Sequence, residues 1–153
     1  MSRKRVLILC TGNSARSQMA EGLLRHLAGG RLDVRSAGTK PTQIRPEAVA
    51  VMQELGVDIT GQHSKSIDEF RNQAFDYVIT VCDNANESCP VFPAGTLRLH
   101  WPFADPAAAQ GPEEERTKVF RKVRNEIQTK LNDFLTEEKL AEEEEFVRPQ
   151  VTQ

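Results

Sequence analysis

The sequence predicts an α/β fold, a parallel sheet of about four strands with helices on both faces. Two short, continuous apolar runs, Val6-Leu7-Ile8-Leu9 and Tyr77-Val78-Ile79-Thr80-Val81, have the pattern of strands buried on both faces. Stretches of helical apolar spacing lie between and after the strand-like runs, and turn-rich strings punctuate them. Strand, loop, helix, strand is the order of a βαβ unit, so the first two strands are expected to be parallel with a right-handed connection. A chain of 153 residues suits one domain.

The elements follow in order. Val6 to Leu9 runs into Cys10-Thr11-Gly12-Asn13-Ser14, a turn-rich string. Met19, Leu23, Leu24 and Leu27 then recur at helical spacing, and Gly29-Gly30 stops that helix. Leu32 to Ala37 alternates as a second strand and ends at Gly38. Pro46 opens a second helix through Val49, Met52 and Leu55, closed by Gly56. A short helical segment fits Ile67 to Phe70, the third strand is Tyr77 to Val81, and Thr96 to His100 makes a weaker fourth. Glu113 to Leu135 is the clearest helix: Val119, Val123, Ile127, Leu131 and Leu135 step by four, and acids crowd the first turn. The domain is expected to occupy residues 1–136. Residues 137–153, with their run of glutamates, are expected to form an acidic tail of frayed helix and disordered chain.

Composition removes several function classes. Hydrophobic residues at 39% and charged residues at 27% give a globular balance rather than a disordered one. A net charge of −2 offers neither nucleic acid nor membrane an electrostatic partner. No apolar run approaches the ~18–20 residues that span a bilayer. The apolar segment after the basic start, Val6 to Cys10, is shorter than the ~7–15 residues of a signal peptide. The expectation is a cytoplasmic monomer. Three cysteines, Cys10, Cys82 and Cys89, are too few for a secreted disulfide framework and odd in number. His26, His63 and His100 show no metal-ligand spacing with them, and no Rossmann or Walker pattern is present, so neither a metal site nor a cofactor is expected.

In a parallel sheet, ligands bind outside the carboxyl ends of the strands. That places Cys10, Gly38 and Cys82 near one rim. Cys10-Thr11-Gly12-Asn13-Ser14-Ala15-Arg16-Ser17 sits between the first strand and the first helix. Its backbone N–H groups can curl into a nest for a tetrahedral oxyanion, and the helix adds its positive end. Gly12 permits the tight turn. Arg16 can clamp two oxygens with its planar fork. The same donors favour a thiolate at Cys10, to which the Ser17 hydroxyl can donate. Oxyanion binding is therefore assigned to Thr11, Gly12, Asn13, Ser14, Ala15 and Arg16.

This loop, with Gln18-Met19-Ala20-Glu21-Gly22 after it, resembles the phosphate loop of the low-molecular-weight protein tyrosine phosphatase superfamily. Ser36-Ala37-Gly38 and Asp105-Pro106 also match. The resemblance implies a phosphatase-like fold, Cys10 as nucleophile and Asp105 as general acid. The tyrosine phosphatases follow Asp-Pro with aromatic residues, whereas this chain has Ala107-Ala108-Ala109-Gln110. Val81-Cys82-Asp83-Asn84-Ala85-Asn86-Glu87-Ser88-Cys89-Pro90 instead resembles the cysteine pair of the thioredoxin-coupled arsenate reductases, and His100-Trp101 and Phe103 extend the match.

That branch implies that Cys10 attacks arsenate while Asp105 protonates the departing oxygen. Cys82 then attacks Cys10 to release arsenite, and Cys89 closes a Cys82–Cys89 disulfide that thioredoxin reduces. Cys10, Arg16, Ser17, Cys82, Cys89 and Asp105 are thus the expected catalytic set. A phosphatase forming a phosphocysteine is the alternative, and weak phosphatase activity is compatible with the reductase. A phosphoryl-carrier module of the sugar phosphotransferase type would leave Asp105 and two thiols without a role. Seven residues of intact helix separate Cα atoms by about 10 Å, against the roughly 4.4–6.8 Å of a disulfide. Residues 82–90 are therefore expected to rearrange on oxidation.

Many relatives carry a fourth cysteine where this chain has Ala15, which leaves three thiols for three steps. Some hold a potassium ion through residues matching Asn13, Glu21 and Ser36. With His63 and Lys65 in place of the remaining ligands, the lysine ammonium is expected to stand in for the ion.

Overall fold

The computed structural model describes residues 3–87, 89–138 and 140. Its sheet has four parallel strands, β1 (Lys4–Cys10), β2 (Leu32–Gly38), β3 (Tyr77–Thr80) and β4 (Leu97–His100), in the order β2-β1-β3-β4. Among the described residues four α-helices accompany them: α1 (Arg16–Ala28), α2 (Pro46–Gln53), α3 (Asp83–Glu87) and α4 (Glu113–Glu137). The expected short segment at Ile67–Phe70 is a 3-10 turn, and a second such turn covers Pro106–Ala108.

The central strand dictates the layering. Val6, Leu7, Ile8 and Leu9 are all fully buried, and because successive side chains point to opposite faces, both faces of β1 are covered. α1, α2 and α4 pack on one another, while α3 touches β1 and β3. Gly22 lets α1 come close to its neighbours: a Cβ there would sit 2.5 Å from the Ile59 side chain. Gly29, at φ 59°, ends α1 with its N–H on the Arg25 carbonyl.

Three departures from the sequence expectation have a physical reason. β1 begins at Lys4, because the polar Arg5 is satisfied where it stands: its guanidinium lies 4.3 Å above the Phe75 ring and 2.9 Å from Asp33. α2 stops at Gln53, and the chain tightens through Leu55 N–H to Met52 O and Gly56 N–H to Gln53 O before turning at φ 75°. Along α4 the buried stripe is Phe120, Val123, Ile127, Leu131, Phe134 and Leu135, while Val119 is exposed. A row that steps only by four drifts around a helix of 3.6 residues per turn, so the stripe mixes steps of three and four. The expected acidic tail lies outside the described residues except for 137, 138 and 140.

The pairings Cys10↔Gly38 and Thr80↔His100 end the strands nearly level, so Cys10, Gly38 and His100 share the carboxyl rim and Cys82 lies just beyond it. α4 is fastened to α2 by a charged cluster. The buried Arg124 guanidinium donates to the Val51 carbonyl and to Glu54, both at 2.7 Å, and Arg121 donates to Glu54 at 2.7 and 2.9 Å. The hydrogen bonds from Arg121, aided by Arg124, hold the Glu54 carboxyl down at about 2, from 4.5. A carboxyl whose folded pKa is depressed stabilises the fold above its unfolded value and loses that contribution as pH falls through the folded one. The stability advantage of wild type over Glu54→Gln, measured by urea unfolding, is therefore expected in full at neutral pH. It should shrink between about pH 4.5 and about pH 2; a gap that survives below that window would refute the assignment.

Candidate active site

Between β1 and α1 the chain must reverse in a tight loop, and its carbonyls decide how. Those of Cys10, Thr11, Gly12 and Ser14 accept hydrogen bonds from the N–H groups of Thr39, Lys40, Thr42 and Arg45, at 2.8–3.2 Å. The Asn13 carbonyl accepts from Ser64 Oγ at 2.6 Å and Gln18 Nε2 at 3.0 Å. In a planar trans peptide the N–H points opposite to the carbonyl. With five successive carbonyls turned outward, the N–H groups of residues 11–15 are turned inward as a nest. The turn requires Asn13 at φ 49°, a left-handed conformation that asparagine tolerates. No side chain caps α1, so its first N–H groups add to the same electropositive centre.

Behind the nest lies a chain of buried polar side chains. The Lys65 N–H donates to Asn13 Oδ1 at 3.0 Å, which orients the amide. Asn13 Nδ2 then donates to Ser17 Oγ at 2.7 Å and to Ser36 Oγ at 2.9 Å. Ser17 Oγ, which accepts from Asn13, lies within hydrogen-bond distance of Cys10 Sγ, 2.9 Å away. The Ser36 hydroxyl donates to Glu21 through a short hydrogen bond, and Glu21 pairs with Arg25 at 2.6 Å.

Lys65 closes this chain. Its ammonium donates to the His63 carbonyl at 3.1 Å and lies 3.8 Å from Glu21, with the side chain only 10% exposed. Burial pushes its pKa down, and the Glu21 carboxylate opposes that shift. A potassium ion bound through Asn13, Glu21 and Ser36 would have to share this position with an ammonium, so the residues present do not fit the ion. Among the described residues no group of three or more His, Cys, Asp or Glu is placed to hold a metal. A cleft of about 570 Å³ opens beside Glu21 and Lys65 along β2, but none of residues 10–17 lines it.

Arg16, the first residue of α1, is held in place by the Phe103 carbonyl at 3.0 Å, and its second guanidinium nitrogen lies 3.8 Å from Asp105. Asp105 is about half exposed; its other oxygen accepts from the Ala107 N–H at 3.0 Å and caps the Pro106–Ala108 turn. The carboxylate therefore serves the local turn and faces the site at once. Thr11 Oγ1 meets Cys82 Sγ at 3.2 Å, so the nest and the second thiol are in contact. The Ala85 N–H also points to Cys82 Sγ, at 3.4 Å. Cys89, beyond α3, is partly buried, and that burial pushes its thiol up against the influence of Arg98. All three cysteines are free.

The structure thus brings together Cys10, residues 11–17, Cys82 and Asp105, with Cys89 one short helix away. Gln18, Ser64 and the Phe103 carbonyl support the loop; the resemblance included Gln18 and Phe103 without giving them this role, and Ser64 offered no signal in the sequence.

Fold and loop together define a protein able to hold a tetrahedral oxyanion against a thiol. The chain belongs to the low-molecular-weight protein tyrosine phosphatase family, for residues 5–146 match the model described as Low molecular weight phosphotyrosine protein phosphatase. Curated relatives include the arsenate reductase of Halalkalibacterium halodurans, 46% identical over 134 residues, covering 88% of this chain and 96% of that one. That of Bacillus subtilis is 45% identical with the same coverage. A solved arsenate reductase in its oxidised state superposes with TM-score 0.77 at 31% identity, covering 90% of this chain and 99% of that one. A low molecular weight protein tyrosine phosphatase from T. tengcongensis shares the fold, with TM-score 0.72 at 24% identity over 88% of this chain and 99% of that one.

Gly38 tests how tightly the nest is set. A Cβ at this position would lie 2.5 Å from the Thr11 carbonyl oxygen and 2.9 Å from the Asn13 nitrogen, both backbone atoms. Gly38→Ala must therefore displace the loop. It is expected to weaken inorganic phosphate binding about tenfold or more, read by calorimetry, while circular dichroism keeps its native shape. Unchanged phosphate affinity would show that the nest does not depend on this close approach.

Proposed function

We propose that this protein is an arsenate reductase working by a three-thiol relay, with thioredoxin as the final reductant in a cytoplasmic thiol pool. The observation that carries the reading is the placement of the thiols. Cys10 lies at the floor of an oxyanion nest, Cys82 touches that nest through Thr11, and Cys89 follows one five-residue helix later. Relatives named arsenate reductase across nearly the whole domain support the substrate. One solved neighbour is described as a thioredoxin-dependent arsenate reductase from Corynebacterium glutamicum, and supports the partner. It is 30% identical with TM-score 0.71, over 90% of this chain and 63% of that one.

In the mechanism, inward N–H groups of residues 11–15 and the Arg16 fork bind arsenate and oppose its charge. The Cys10 thiolate, stabilised by the Ser17 proton, attacks arsenic, and Asp105 gives its proton to the departing oxygen, which leaves as water. Cys82 then attacks Cys10 Sγ: the new S–S bond replaces the S–As bond, whose electron pair stays on arsenic and makes arsenite. Cys89 attacks Cys82 Sγ and expels Cys10 as thiolate, ready for another cycle. The remaining Cys82–Cys89 disulfide takes two electrons from the dithiol partner by thiol exchange. Phosphate monoesters fit the same nest, so weak phosphatase activity is part of the proposal. Residues 107–110 supply no aromatic to hold a phenyl ring, which disfavours phosphotyrosine as the main substrate.

Fully reduced protein incubated with arsenate alone should fall from three free thiols to one, with Cys82 joined to Cys89 by mass mapping. Three thiols remaining would refute the relay. Amide exchange across 83–87 should be faster in the oxidised form than in the reduced; identical exchange would contradict the rearrangement. Because the Lys65 ammonium stands where an ion would, potassium is expected to leave catalytic efficiency unchanged, and a several-fold rise on adding it would overturn that assignment.

A further inference from the structure

The weakest element beside the site is α3, and something other than its own sequence must keep it helical. It has five residues, Asp-Asn-Ala-Asn-Glu, too few for a self-supporting helix and drawn largely from types that trade helix bonds for local ones. Besides the packing of its buried Ala85 and its contacts with β1 and β3, it is anchored by polar contacts from the edge strand β4, where Arg98 and His100, two residues apart, lie on the same face. His100 Nε2 meets Asp83 Oδ1 at 2.8 Å, and Arg98 donates to both the backbone carbonyl and the side-chain oxygen of Asn86 at 3.2 Å. Asp83 opens the helix and Asn86 lies in its last turn, so the two contacts hold both ends.

The histidine is itself oriented from the core. Thr80, buried and directly paired with His100 in the β3–β4 register, contacts Nδ1 at 2.8 Å. The Asp83 carboxylate only accepts, so Nε2 carries the proton of that contact, while Nδ1 lies against the Thr80 hydroxyl.

We propose that Arg98 and His100 form a latch on α3 that sets how readily Cys82 and Cys89 close into a disulfide. They act as positioning residues, and the inference rests on the relay proposed above. The helical residues of α3 advance by about 6 Å from 83 to 87, and Cys82 and Cys89 flank them, whereas a disulfide holds its Cα atoms roughly 4.4–6.8 Å apart. In the latch, closure draws the two ends of α3 together, unwinds it and breaks the Asp83 and Asn86 contacts to β4. Interactions present only in the dithiol form favour that form, and their removal shifts the couple toward the disulfide.

The test equilibrates the full chain, carrying Cys10→Ser so that only one cysteine pair reports, with reduced and oxidised glutathione. Each disulfide formed consumes two protein thiols and one glutathione disulfide and yields two glutathione thiols. Asp83 has 80% of its side chain exposed, so Asp83→Ala is expected to fold normally by circular dichroism. It should raise the disulfide-to-dithiol ratio about three- to tenfold, the upper end being about 30 mV for a two-electron couple. His100→Ala should do the same, and the double variant should gain little over either, whereas Asp83→Asn, which keeps the accepting oxygen, should stay near wild type. An unchanged ratio in both single variants, or additive shifts in the double one, would overturn the latch. If arsenate fails to oxidise the wild-type thiols while these ratios still shift, the relay falls and the latch stands.

Discussion

Everything at the carboxyl rim depends on one constraint, the outward turn of five successive carbonyls in the loop after β1. An anion nest made of backbone has no side chain to hold it open, and N–H groups facing one another repel. Here the 39–45 segment that follows β2 binds most of those carbonyls and leaves the N–H groups no orientation but inward. Gly38 makes this possible, since any Cβ at the end of β2 would meet Thr11 and Asn13 backbone at less than 3 Å. The second strand therefore does more than extend the sheet; it brings in the chain that shapes the loop.

Behind that loop the fold and the chemistry share the same hydrogen bonds. Asn13, Ser17, Gln18 and Ser36 are fully buried, and polar groups so placed must be satisfied or cost stability. The hydrogen bonds run from the Lys65 N–H through Asn13 to the two serines, one of which lies against Cys10. Glu21 supplies the acceptor for Ser36 and draws in two cations, Arg25 and Lys65. A change in this chain would alter loop geometry and thiol environment together.

The far side of the site follows a different rule. Where the nest is held by many mutually supporting bonds, α3 has one turn of helix and a few contacts to β4. A rigid oxyanion site and a loosely held cysteine pair suit their proposed tasks, since arsenate binding needs preorganised donors and disulfide closure needs chain movement. The edge position of β4 leaves Arg98 and His100 free to face α3 rather than the sheet interior.

Much of this was legible from the chain alone. Continuous apolar runs at Val6 and Tyr77 identify buried parallel strands, because only a sheet covered on both faces removes the need for alternation. Gly29 marks a helix end, Gly56 the turn after another, and the cysteine-to-arginine spacing after β1 marks an oxyanion loop. These are local patterns, set by periodicity and backbone freedom. What tertiary structure decided is pairing at a distance: which carbonyl meets residues 39–45, that Thr11 touches Cys82, that Lys65 reaches Glu21, and that Val119 faces water while Arg124 is buried. Such contacts join residues as many as 109 positions apart. Their partners are chosen by strand order and helix rotation, quantities no local stretch of sequence encodes.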